Sequence, residues 1–383
     1  MANDLSAVTP QVLAQGLLAL RENCVTPRLV NSDYGSEAAG KGSTIDVPIP
    51  TAIATNDVTP DRYAPADPDM TPTSTPIAMT EWREAPFHLS DKDLMEAEAG
   101  ILPMQASEAI KALSNYVDAY VLALYRKFYG AAGAAGTTPF GTDTSEIVNA
   151  RKLLNKQLAP LNDRRFLFDP DAEAGALNLR AFQDVSWTGD ARAINDGNII
   201  HKLGFDWFMN QNIPTHTAGT VGGAVGNETT VTGANLAGVT TLNVTVVAAT
   251  TDLALVEGDI INIAGDSQQY VVTAAANVVA GAAGDISIYP GLAQATAGGE
   301  VITNVDTHVA NLAFHRNAIA FANRPLADSG DGLGNIIEVA TDPISGLSLR
   351  LEVSRQHKRT RWSYDILFGA AVVRRELGVR VMG

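Results

Sequence analysis

Seven side chains of this chain could ligate a metal or carry nucleophilic chemistry: His88, His201, His216, His308, His315, His357 and Cys24. Their spacing argues against both. No histidine lies three or four residues from another, there is no Cys-x-x-Cys, and Cys24 has no histidine near it in sequence, so a zinc site or a thiol nucleophile would have to assemble from remote segments. Gly330-Asp-Gly332-Leu-Gly334 superficially resembles a nucleotide loop. It lacks the third glycine at the required spacing, and a strand at Asn335 to Ala340 is predicted after it where a dinucleotide site needs a helix. Neither Gly-x-x-x-x-Gly-Lys-Ser/Thr nor Gly-x-Ser-x-Gly occurs. Asp67, Asp69, Asp328 and Asp331 miss the alternating oxygen pattern of a calcium loop and read as turn residues. The expectation is therefore a protein without catalytic residues, metal or cofactor. An enzyme of unrecognised type is an alternative that a deep pocket with convergent acid and base side chains would revive.

Charge is distributed more tellingly than the reactive groups. The 383 residues carry 27 Lys and Arg against 42 Asp and Glu, a net charge of -15. That balance disfavours tight nucleic-acid binding, which draws on Lys and Arg displacing counterions. Residues 31–100 hold thirteen acidic and four basic side chains, whereas residues 350–380 hold eight basic and three acidic ones. Two solvated faces would explain this. Complementarity between copies is the second reading, with Asp57, Asp61, Asp67 and Trp82 of one copy lying against Arg355, Lys358, Arg359 and Arg361 of the next. The lone cysteine can form no internal disulfide, and a reducing cytoplasm suits it. No run of eighteen apolar residues and no basic-then-apolar amino terminus is present, which argues against a membrane span or a signal peptide.

These residues must be positioned by several lobes, since 383 residues with 46% hydrophobic side chains exceed one ordinary core. Residues 1–40 read as an amino-terminal arm with a short helix at Thr9 to Leu20. From Lys41 to Pro86 there are eight prolines between β-like runs at Ser43 to Ile49 and Ile77 to Trp82, the pattern of a long hairpin. An isolated hairpin is marginal in water, so support from outside the segment, a neighbouring subunit above all, is expected. Ser90 and Asp93 suggest a capping box for a short helix from Asp91 to Ala99. Ile110, Leu113, Val117, Tyr120, Val121, Leu124 and Phe128 then fall at the three-and-four spacing of one long helix ending at Gly130.

Residues Gly130 to Gly136 read as a flexible link. A helix through Ile147 and Leu154, a strand at Phe166 to Phe168, helix at Asp171 to Phe182 and strand at Gly204 to Asn210 follow. From Leu203 to His315 there is no Lys or Arg for 113 residues. Alternating runs at Val244 to Val247, Asp259 to Ala264, Tyr270 to Thr273, Ile286 to Tyr289 and Val301 to Val305 make this an inserted all-β module. Phe314 to Leu326, Leu347 to Val353 and Trp362 to Val381 are predicted strands, the last two joined by a basic turn at Gln356 to Arg361.

Taken in order, arm, Pro-rich hairpin, long helix, α/β lobe with an inserted β module, and carboxy-terminal strands resemble the major capsid proteins of tailed bacteriophages, the Hong Kong 97-type fold. Within that family the chain is similar to the branch of the Salmonella short-tailed phage coat protein, which carries an insertion domain. The residues that carry this are Val256-Glu-Gly-Asp-Ile-Ile-Asn-Ile-Ala264, Tyr270-Val-Val-Thr273, Phe314 to Leu326 and Trp362 to Leu377. The resemblance implies an α+β chain divided into an arm at 1–40, an extended loop at 41–90 and a peripheral domain at 91–130 and 346–383. It further implies an axial domain at 131–214 and 306–345 and an inserted β-barrel domain at 215–305.

The same resemblance implies a non-enzymatic coat protein of a double-stranded DNA phage, assembled in the host bacterial cytoplasm into the icosahedral shell of the virion. Its partners would be copies of itself in hexamers and pentamers, a scaffolding protein, a portal, a decoration protein and packaged DNA contacted without sequence preference, with no membrane involved. Lys41 is the lysine of the loop segment and lies at its base, so covalent cross-linking of the kind some relatives use is not expected. Gly40 and Gly130 are candidate hinges for shell maturation. Alternatives are another phage structural or adhesive protein with a glycan-binding β module, and an encapsulin-like compartment shell.

Overall fold

The computed structural model describes residues 24–34, 44–50, 53, 55, 60, 72–92, 101–184, 197, 199–221, 229–246, 252–326, 335–341 and 347–383. Asp57, Asp61, Asp67, Gly40, the nucleotide-loop-like glycines and most of the short helix expected at 91–99 lie outside them. Two compact units share the chain, and the boundary between them falls inside the long helix, between Leu113 and Ser114.

The first unit comprises residues 1–21, 31–113 and 319–373. Strands β1 (Thr44–Ile49) and β2 (Thr73–Ala78) pair antiparallel, with Ile45 opposite Ile77. Strand β3 (Glu81–Ser90) then joins a five-stranded sheet with β18 (Ile319–Arg324), β19 (Ile336–Thr341), β20 (Ser348–Gln356) and β21 (Arg359–Val372). Its organiser is β21, whose fourteen residues are long enough to pair with β3, β20 and β18. The hairpin base has support within its own chain: Ile45, Val47, Ile77 and Met79 form one buried cluster with Ala320 and Ala322 of β18. A neighbouring subunit is therefore not needed to order this base. Gly369 permits the approach, since a Cβ there would lie 2.2 Å from the Ala78 carbonyl oxygen.

The second unit comprises residues 22–30, 114–318 and 374–383. Helix α1 (Ile101–Leu122) runs for about 33 Å at ~1.5 Å per residue, and a 3-10 turn at Ala123–Lys127 ends it. Ile110, Leu113, Val117, Val121 and Phe128 are buried as their spacing predicts. A mixed sheet follows in the order β4 (Gly130–Gly133), β22 (Gly378–Met382), β17 (His308–His315), β5 (Arg164–Phe168), β7 (Phe205–Met209) and β6 (His201–Lys202), with β8 (Thr215–His216) also on β17. Helix α2 (Ser145–Lys156) buries Ile147, Ala150 and Leu154. Helix α3 (Pro170–Asn178) is capped by the Asp169 carboxylate and stops at the extended Leu179, so the single helix expected from Asp171 to Phe182 is two. An aromatic cluster of Phe140, Phe166, Phe168, Phe182, Phe205 and Trp207 fills this core, Phe166 and Trp207 meeting edge to face at 4.7 Å.

Two readings of the sequence change here. The link expected at Gly130 to Gly136 begins as strand β4, parallel to β22. Small residues make this possible, because a Cβ on Gly130 would sit 3.0 Å from Val379 Cγ2. The lobe division assigned 306–345 and 346–383 to different domains. Strand pairing instead places β18 and β19 with β20 and β21, and returns β22 to the sheet of β17.

Between β8 and β17 in sequence lies a closed six-stranded barrel in the order β10 (Thr241–Val246), β15 (Ala283–Tyr289), β13 (Gln269–Val272), β12 (Ile260–Ile263), β16 (Val301–Asn304) and β9 (Thr229–Val231). Strands β11 (Leu253–Leu255) and β14 (Ala276–Val278) form a separate pair. Closure removes the exposed edges that an open sheet would leave. Leu242, Val244, Ile261, Ile263, Tyr270, Val272, Ile286, Ile288 and Ile302 point inward as one core.

Candidate functional site

Two groups of charged side chains stand out, one buried at the root of the barrel and one on the five-stranded sheet of the first unit. At the root, β8 and β17 are the two chain crossings into the barrel, and they pair with His216 directly opposite His308. Asp259, from the turn between β11 and β12, is fully buried. His216 Nε2 lies 2.8 Å from Asp259 Oδ1, and His216 Nδ1 lies 2.8 Å from the Tyr125 hydroxyl. The network assigns the proton to Nε2, which donates to the carboxylate while Nδ1 accepts from Tyr125. The backbone N–H groups of Val256 and Gly219 also donate to Asp259, at 2.8 and 3.1 Å.

Arg380 of β22 completes the cluster. Its Nε donates to the Tyr125 carbonyl at 3.0 Å and its Nη1 to the Gly258 carbonyl at 2.7 Å, and its guanidinium sits 5.0 Å from the Tyr125 ring centre. Burial pushes Arg380 down to about 9, and burial likewise pushes His308 down to about 4 against the opposing hydrogen bond to the Asp306 carbonyl. A Tyr–His–Asp chain could relay protons in an open site. Here Tyr125, His216 and Asp259 are 2%, 3% and 0% exposed, so no substrate reaches them. What the arrangement does is clamp the barrel root to the 3-10 turn and β22 with charge-assisted hydrogen bonds.

A second buried carboxylate ties down the segment before the first strand. Asp118 accepts from the Thr26 and Val25 backbone N–H groups at 3.0 and 3.3 Å and from Asn210 Nδ2 at 3.0 Å. Burial raises Asp118, and these donors oppose the rise. The Cys24 thiol lies 3.5 Å from the same carboxylate and is fully buried, which raises it well above its ordinary value.

The described residues singled out by charge lie on the five-stranded sheet of the first unit or in its β20–β21 turn. Trp82 of β3 is 61% exposed, and its Nε1–H donates to Asp365 at 3.1 Å. Arg350 holds the same carboxylate through Nε at 2.9 Å and through Nη2. Arg361 donates to Glu84 at 3.0 Å, and Arg355 to Asp91 at 2.6 Å. Arg359 donates to Gln356, and Lys358 takes the left-handed position of the turn between β20 and β21. Acid thus meets base within one chain, between β21 and β3 at Arg361 and Glu84, between β20 and β21 at Arg350 and Asp365, and between β20 and the residue after β3 at Arg355 and Asp91. Gly130 lies buried in paired strand β4.

Sequence reasoning missed the buried cluster entirely. Its one legible signal was position: His216 and His308 lie inside the run without Lys or Arg, one before the barrel strands and one after them.

Neither a protein-family model nor a curated protein matches the sequence. Solved structures do. A chain of Mycobacterium phage Che8 aligns over 94% of this chain and 90% of its own length, at a TM-score of 0.52 and 14% identity. A chain from the capsid structure of the Cyanophage P-SCSP1u aligns over 92% of this chain and 85% of its own length, at 0.51 and 12% identity. At such identities the likeness is one of fold, and over more than nine-tenths of its residues this chain has the fold of a phage capsid chain.

Proposed function

We propose that this chain is the major capsid protein of a tailed double-stranded DNA phage, a non-enzymatic subunit that self-assembles into an icosahedral shell. The observation that carries the reading is the fold shared with a capsid chain across 92% of its length. Three features support it. The hairpin of β1 and β2 is anchored at its base and leads into an acidic, Pro-rich segment, as an extended loop reaching a neighbour would be. The five-stranded sheet is built of charged strands on which such a loop can lie. A net charge of -15 repeated over many copies makes a wall that repels packaged DNA.

In Hong Kong 97-type terms, the first unit is the extended loop with the peripheral sheet, and the sheet of β17 and β22 is the axial domain. The closed barrel is the insertion domain of the branch typified by the Salmonella short-tailed phage. A scaffolding protein, a portal, a decoration protein and DNA contacted non-specifically are the partners of this proposal, with assembly in the host cytoplasm.

Electron microscopy of the purified chain, alone and co-expressed with a scaffolding protein, tests it. Closed shells of uniform diameter are the expected result. Fibres or small fixed oligomers would replace it with an adhesive or other structural role.

A further inference from the structure

Three leucines of the second unit are exposed to solvent, and two of them also hold backbone that leucine disfavours. Leu158 has φ +59° and is 89% exposed, Leu203 has φ +54° and is 38% exposed, and Leu161 is 69% exposed. Helix α2 ends in a Schellman turn: the Ala159 N–H donates to the Leu154 carbonyl at 3.0 Å, and the Leu158 N–H to Asn155 at 3.2 Å. Leu158 therefore occupies the left-handed position that glycine or asparagine usually takes. Leu203 does the same in the turn between β6 and β7, beside Gly204 at φ +84°.

Nothing about this corner is loose. Arg164 is 2% exposed and donates from Nε to the Pro160 carbonyl at 2.6 Å and from Nη2 to the Ala159 carbonyl at 2.8 Å. Arg151 donates to the Leu203 carbonyl at 3.0 Å, tying the second turn to α2. Burial lowers the Arg164 pKa, and Arg151 lies near enough for its like charge to lower it further, which brings the Leu203 turn close to the turn at Leu158. A buried arginine and two unfavourable turns thus hold leucine side chains out in water, where they earn nothing in the isolated subunit.

We infer that this leucine corner is a contact surface for a second copy of the chain. Its collar is basic, with Arg151, Lys152 and Lys156 exposed on α2, in a chain whose net charge is -15. The same unit presents exposed acids at Asp143 and Asp171, so a head-to-tail contact joins opposite charges around an apolar centre. The inference rests on the shell reading and gives it a named interface.

Leu158→Gly separates function from packing. Relief of the left-handed leucine should raise the thermal midpoint of the unassembled subunit by about 2 to 4 °C, while the concentration needed for assembly, read by sedimentation velocity, rises at least tenfold. Lys156→Glu should also weaken assembly and leave the midpoint unchanged. A lower midpoint in Leu158→Gly would mean that the leucine packs within its own chain, and would overturn the inference. Shells formed by both variants at the wild-type concentration would overturn it and leave the shell reading standing. Wild-type rings or dimers that Leu158→Gly dissolves would keep the contact and sink the shell; a wild-type chain monomeric at every concentration would sink both.

Discussion

The barrel root and the five-stranded sheet both hold carboxylates against basic side chains, yet burial gives them different work. At the root, Asp259 and Arg380 are both 0% exposed and neither could stay charged there without the hydrogen bonds that surround them. On the sheet, the side chains of Arg361 and Glu84 are 35% and 53% exposed, and water competes for each. Between these extremes lies Asp365, 4% exposed, gripped by Arg350 and Trp82. Burial thus decides whether a carboxylate beside a basic side chain fixes architecture or stays open to water.

Breaking the root should have the largest effect. Asp259→Ala removes the acceptor of His216, Val256 and Gly219 and the negative charge that favours charged Arg380, so a loss of about 3 to 5 kcal/mol in denaturant unfolding is expected. A loss under about 1 kcal/mol would show that the cluster is not a clamp. Arg350→Ala leaves a nearly buried Asp365 with Trp82 as its remaining donor in this trio, and about 2 to 3 kcal/mol should be lost. Its effect should fall between those of Asp259→Ala and Arg361→Ala; a result outside that range breaks the ranking by burial.

Acid should single out the root. His308 is held down at about 4, against an unfolded value near 6.5. Between those values the unfolded chain takes up a proton that the folded chain refuses, so stability is full above about pH 6.5 and falls as the pH drops toward 4. The loss should be about 1 to 3 kcal/mol, reduced from the full shift by residual solvation. Asp118 is raised and acts in the opposite sense. The readout is therefore the difference between the wild type and His308→Gln in urea midpoints at pH 7.5 and pH 5, with the variant expected to lose less. Equal slopes would remove His308 from the account.

The sequence displayed the sheet better than the root because the two are encoded differently. Alternation in Leu242, Val244 and Val246, and the helical spacing of Ile110, Leu113, Val117 and Val121, are local patterns that state which face is buried. The acid and base blocks were also visible, and among the described residues they meet at Glu84 with Arg361 and at Asp91 with Arg355. By contrast, Tyr125, His216, Asp259, His308 and Arg380 come from five elements spread over 256 residues, and no local periodicity links them. Gly130-Ala-Ala-Gly133 has no side chain large enough to alternate, so β4 read as a link. Leu158 was invisible for another reason: left-handed backbone in a leucine is a property of the fold, and its sequence neighbours give no glycine to announce it.

Arg361→Ala should cost the least, within about 0.5 kcal/mol in subunit unfolding, because an exposed ion pair trades water for a carboxylate at little net gain. That small number makes the variant useful. If Arg361 serves only its contact with Glu84 and Arg355 only its contacts with Asp91 and Thr360, then Arg361→Ala and Arg355→Ala should leave both stability and assembly near wild type. If an acidic loop of another copy lies on this sheet, the double variant should keep its unfolding midpoint and yet need severalfold more protein to assemble at low salt. High salt should narrow that gap, since screening removes the attraction in the wild type as well. A drop in stability of several kcal/mol instead would place the sheet beside the root, and the contrast between the two regions would be gone.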